Sequence, residues 1–178
     1  ITQEIVSSLA AGATRHFHFI LPQYMEQQNS VQFGLLRYDQ TPRMGYVALA
    51  AAGRVLAGAE YLGRLPVEEK PDVYLFVFRA HPDGVAQDVL VTWTEGPLDW
   101  PERGKATALL SLPATLIPTA VWDFLGRPLP AAIPEEITSN PLYIMLPKGA
   151  VDTLPLDKPV VAANQELEAP SPVVLQLR

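Results

Sequence analysis

The chain has 178 residues, 48% of them hydrophobic and 18% charged, which gives enough apolar side chain for a buried core and excludes a disordered chain. Its formal net charge is −6 with no basic run, which argues against nucleic acid or an anionic membrane surface as partner. With no cysteine, disulfides, thiolate catalysis and cysteine–zinc centres are excluded.

No apolar run approaches the length needed to span a bilayer, so no membrane partner is expected. The compartment stays open, a secreted or periplasmic parent being one reading. The 18 prolines are about twice the average share and cluster after Pro97, which favours short strands and loops over helices.

In chain order, residues 1–13 read as a helix. Ile1, Ile5, Leu9 and Ala13 recur every four residues and Gly12 stands where a helix would stop. The start carries no clear cap, and the helix is expected to begin in sequence upstream. Residues 14–21 are rich in aromatic and apolar side chains, are closed by Pro22, and read as a strand. A polar stretch from Gln23 to Gln32 follows, and then the apolar patch Phe33-Gly34-Leu35-Leu36.

The best-signalled element is a helix over 42–57. Thr41 is its expected N-cap, Pro42 fits its first position, and Tyr46, Leu49, Ala50, Gly53 and Leu56 follow helical spacing, with Gly58 as the stop. Beyond Gly58 the period falls to two, and strands are predicted over 59–67, 72–80, 87–95, 105–112, 119–126 and 141–147. Pro82-Asp83-Gly84 supplies turn chemistry between two of them. Six short strands joined by Gly and Pro turns predict an antiparallel sandwich with Trp93 and Trp122 in its core. Residues 148–172 read as a proline-rich linker, and the final run from Ser171 reads as a strand opening a further domain.

Five phrases carry a resemblance. His18-Phe19-Ile20-Leu21, Phe33-Gly34-Leu35-Leu36-Arg37 and Thr41-Pro42-Arg43-Met44-Gly45-Tyr46 resemble the eighth strand and helix of retaining (β/α)8-barrel glycoside hydrolases, broadly those of families 39 and 5. Arg43, Met44 and Gly45 replace the lysine, proline and alanine of the family's "TPKPAY" phrase. Trp122-Asp123-Phe124-Leu125-Gly126-Arg127-Pro128 and Asn140-Pro141-Leu142-Tyr143 resemble the last hairpin of the sandwich that follows such barrels.

The fold this implies is an α/β barrel remnant, the last helix–strand–helix of a TIM barrel, followed by an all-β antiparallel sandwich. The implied division is 1–58 for the barrel end, 59–147 for the sandwich, and 148–178 for the linker and the start of a further domain. The rest of a parent chain would pack on 1–58. The sandwich would stabilise the catalytic part, and an oligo- or polysaccharide would reach the chain through that parent. The alternatives are a non-catalytic carbohydrate-binding or structural module and a degenerate barrel that binds sugar without cleaving it.

Retaining glycosidases need two carboxylates about 5 Å apart, which the resemblance places upstream of Ile1. No catalytic residue is therefore expected here, and the chain alone is expected to be inactive. Glu4 lies inside a helical pattern and reads as a solvated helix residue. His18, Gln23, Tyr24 and Glu26, at and beyond the C-terminal end of the expected barrel strand, are the expected sugar-binding residues, with Asn29 beside them. An ordinary solvated loop is the plainer reading of that stretch, and a hydrogen-bonded core histidine that of His18. His16 and His18, two apart, could hold a metal only with further ligands. No third histidine is near and His81 sits in a turn, so neither metal nor cofactor is expected. Trp100, flanked by Pro97 and Pro101, is the one tryptophan expected to offer an exposed platform.

Overall fold

The computed structural model describes residues 1–26, 31–67, 70, 72–95 and 106–158. Two helices, α1 (Thr2–Ala10) and α2 (Met44–Val55), accompany ten short strands among them. These are β1 (Tyr24–Glu26), β2 (Val31–Phe33), β3 (Glu60–Arg64), β4 (Val73–Ala80), β5 (Gln87–Thr94), β6 (Thr107–Leu109), β7 (Ala120–Asp123), β8 (Pro128–Leu129), β9 (Glu136–Thr138) and β10 (Leu142–Pro147).

The main sheet runs β3-β4-β5-β10-β7-β8, and every pairing within it is antiparallel. At its centre β5 pairs along its whole length with β4 on one side and from Gln87 to Thr92 with β10 on the other. Strict alternation sorts the side chains of these strands onto two faces. Phe78 and Ala80, Val89, Val91 and Trp93, and Tyr143 and Met145 share one core with Ile5 and Val6 of α1 and Ala52 and Val55 of α2. Val73, Leu75 and Val77, Leu90, and Ile144 and Leu146 share the other with Val121, Leu110, Leu116 and Ile137. Both faces are therefore covered, one by the two helices and the other by the β6–β9 ribbon and its loops. Each fully buried Leu or Ile contributes about 1.5–3 kcal/mol by leaving water.

This corrects the expected fold class. A barrel remnant requires a strand between the two helices that can pair with parallel neighbours. Residues 14–21 form no strand, and no pairing among the described residues is parallel. Aromatic content alone gave that segment its strand-like look, but a strand exists only where a neighbour takes its backbone groups. The expected antiparallel, sandwich-like sheets are present, in an uneven form. One six-stranded sheet is covered by helices on one face and by a two-stranded ribbon on the other, instead of two comparable sheets facing each other.

The start of α2 also differs from expectation. Thr41 does not cap it, because the Thr41 hydroxyl donates to Asp39 Oδ1 at 2.6 Å and its backbone N–H donates to the same oxygen at 3.0 Å. The chain stays extended through a bridge between Leu36 and Pro42, and Arg43, at φ −87° and ψ 165°, becomes the boundary residue. Alanines make the buried face of α2, with Ala48, Ala51 and Ala52 joined by Val55. Gly126 turns there at φ +77°, and a Cβ on it would lie 3.1 Å from that of Ala51, so the hairpin from β7 to β8 seats closely on the helix. Asp123 ties that hairpin, its Oδ1 accepting from the backbone N–H of Leu125 and of Arg127, both at 2.9 Å, and its Oδ2 from Arg127 Nε at 2.6 Å.

Candidate functional site

The segment between the helices, read as a barrel strand and a polar loop, is where the unusual chemistry collects. It is held at few points. The backbone N–H of Leu35 lies 3.1 Å from the carbonyls of Ile20 and Leu21, and that of Leu36 donates to Leu21 at 3.0 Å. Gly34, at φ +102°, fits only because it lacks a side chain, since a Cβ would fall 2.2 Å from the Pro22 carbonyl oxygen. Arg43 Nη2 donates to Gln23 Oε1 at 2.5 Å. These bonds staple the stretch around residues 20–25 to the stretch around residues 35–43.

The joined stretches carry a run of exposed large apolar side chains. Phe17 is 85% exposed, Phe19 75%, Tyr38 73% and Met44 70%, and Leu21, Tyr24, Met25, Tyr46 and Val47 are each well over a third exposed.

The four expected sugar-binding residues divide. Tyr24 is half-exposed on β1. Gln23 just precedes it, with Oε1 engaged by Arg43 and Nε2 shielded without a hydrogen-bond partner among the described residues. Glu26 ends β1, which pairs with β2 in a hairpin that the polar sequence concealed. The Glu26 side chain lies outside the described set, as does Asn29.

His18 belongs to a different group. Its ligand-capable ring nitrogen and those of His16 and the Glu4 carboxylate all lie within 4.8 Å of one another. Glu4 sits in the first turn of α1. Ser8, one turn further along, places its Oγ 3.3 Å from His16 Nδ1. Nε2 of His16 is shielded and has no hydrogen-bond partner among the described residues. Sequence reasoning found the two histidines but not the carboxylate, because Glu4 is separated from them by twelve and fourteen residues and joins them only through the turn after α1.

The tryptophans offer no open platform among the described residues. Trp93 is 5% exposed and stacks on Tyr74, with centroids 5.3 Å apart. Trp122 is half-buried and has the Arg54 guanidinium 4.9 Å above its ring. The Tyr74 ring carries the Arg64 guanidinium at 4.7 Å. Trp100 lies outside the described residues.

Two clefts open elsewhere. One, of about 330 Å³, lies between the starts of α1 and α2 and the turn before β10, and no carboxylate lines it. The other, of about 520 Å³, is bordered by Glu60, Tyr61 and Asp152. Asp152 is already committed there, accepting from Arg79 Nη2 at 2.6 Å. No helix among the described residues is long and apolar enough to cross a membrane. No protein-family model matches the chain, and neither a curated protein nor a solved structure matches it significantly.

Proposed function

We propose that this chain is a non-catalytic segment of a carbohydrate-active glycoside hydrolase. In this reading its antiparallel sheet is a rigid base, and residues 17–25 with 38–47 form a docking face for the catalytic portion of its parent. The observation that carries the docking half of the reading is the exposure of Phe17, Phe19, Tyr38 and Met44 on stretches stapled to one another. The carbohydrate half rests on the glycoside-hydrolase-like phrases around His18, Leu35, Thr41 and Trp122. Half-exposed Tyr24, with Gln23, Glu26 and His18 near it in sequence, would then supply part of the wall of a sugar pocket that the parent completes. A free-standing carbohydrate-binding module has less support, because Trp93, Trp122 and Tyr74 are buried or carry a guanidinium over the ring.

The test of the docking face is hydrophobic-dye fluorescence and sedimentation on the purified chain. The wild type should bind dye or self-associate. The double variant Phe17→Ser, Phe19→Ser should lose most of that signal while keeping its melting temperature, since both side chains already stand in water. A wild-type chain that is monomeric and binds no dye would sink the reading.

A further inference from the structure

We propose that Glu4, His16 and His18 form a binding site for a divalent transition-metal ion of the zinc type. Two imidazoles and one carboxylate are a donor set that borderline ions such as zinc and cobalt accept. The three ligand atoms converge to within 4.8 Å of each other from two separate pieces of chain. Around an ion with bonds of about 2.0–2.2 Å, tetrahedral donors stand roughly 3.3–3.5 Å apart. Closure by no more than about 1.5 Å is therefore needed. Glu4 can make much of that movement, because its side chain is 63% exposed.

Two features of His16 point the same way. Its Nδ1 faces Ser8 Oγ at 3.3 Å, the kind of outer contact that fixes the tautomer and aims the other nitrogen of a metal-binding histidine. That other nitrogen, Nε2, is shielded from solvent and has no hydrogen-bond partner among the described residues. Shielded ring nitrogens are ordinarily paired, and an ion held jointly with His18 and Glu4 would supply the partner. Three protein ligands leave a coordination position open to water or to a donor from a bound molecule.

The experiment uses the full chain, free of affinity tag and stripped with chelator. Cobalt(II) is titrated and followed by visible absorption, and zinc is titrated by calorimetry. One ion per chain is expected, with ligand-field bands of a low-coordinate cobalt site and a melting temperature that zinc raises and chelator restores. Glu4→Gln, His16→Ala and His18→Ala should each weaken binding at least about tenfold, and Ser8→Ala about tenfold through loss of the orienting contact. His81→Ala should change nothing. Because Glu4→Gln and Ser8→Ala alter solvent-facing or small groups, they test the site even if a histidine variant folds poorly. Saturation at no defined stoichiometry, or Glu4→Gln and Ser8→Ala binding as tightly as wild type, would overturn the proposal.

Discussion

Arg79 on β4 and Asp88 on β5 stand directly opposite one another, and the Asp88 carboxylate is fully buried beneath the guanidinium. Arg79 Nε donates to Asp88 Oδ1 at 3.0 Å. The other oxygen accepts from the backbone N–H of Gly149 at 2.8 Å and of Val151 at 3.2 Å, so one buried charge ties the turn after β10 back to the sheet. Arg79 also donates to Asp152, which is 60% exposed.

Asp88→Ala should therefore cost about 3–5 kcal/mol, because it strands part of a charge and two backbone donors in the interior. Asp152→Ala should cost no more than about 1 kcal/mol, as an exposed partner does. Urea melts of the two variants give the comparison. Equal losses would mean that the buried tie is not what holds the turn.

The same contrast between buried and half-buried applies to the tryptophans. Trp93→Ala should cost about 3–5 kcal/mol, because its ring fills a packed core with Tyr74 and Phe76 stacked on it. Trp122→Ala should cost only about 1–2 kcal/mol, the loss of a half-buried ring and its guanidinium contact. Denaturant melts that rank the two in the opposite order would show that the helix-covered core is centred elsewhere.

Much of that core was legible in the sequence. The period-two runs of β4, β5 and β10 come out within about a residue of their predicted ends, because strands buried on both faces are dense in Val, Leu, Ile and aromatic side chains. The short pieces were not legible. β8 has two residues and β9 three, too few for any period to register, and their existence depends on β7 and β6 as neighbours. Residues 14–21 failed in the opposite sense, since their aromatic side chains satisfy a strand pattern with no partner to make it one. Thr41 had the right residue type for a cap but spends its hydroxyl on Asp39. The Glu4, His16, His18 group could be half read, since spacing shows which histidines share a face but not which distant carboxylate the chain folds onto them.

Stability at high pH should report on Tyr143. Its hydroxyl is fully enclosed, and burial pushes its pKa up to about 12, with the Thr2 hydroxyl contact lowering it somewhat and the charge of Asp123 raising it again. An unfolded tyrosine ionises near 10. The native state thus holds this proton more tightly than the unfolded one. The resulting stabilisation is complete below pH 10 and is lost as pH rises from about 10 to about 12, an effect of about 2–3 kcal/mol. Tyr143→Phe cannot ionise, so its melting temperature should fall less steeply over that interval. Parallel alkaline limbs for wild type and variant would place the relevant ionisation on another group.

The chain should not cleave glycosides. Hydrolysis requires one carboxylic acid at the leaving oxygen and a second carboxylate across the sugar. Of the acids on the segment before and into α2, Asp39 is occupied, and its carboxyl is held below the usual carboxylate range by hydrogen bonds from the Thr41 hydroxyl and backbone. A group so held is a poor proton donor near neutrality. Glu4 is exposed on α1, with a carboxylate oxygen within 4.8 Å of a ring nitrogen of each of His16 and His18. Glu26, at the end of β1, remains as a single candidate, and one carboxylate is not a pair. In the sheet, Asp88 and Asp123 are consumed by Arg79 and Arg127. The measurement is release of nitrophenol from a panel of aryl glycosides by purified chain, with Glu26→Gln run alongside. No turnover is expected from either. Turnover by the wild type that disappears in Glu26→Gln would place a working active site on this chain and end its description as a non-catalytic segment.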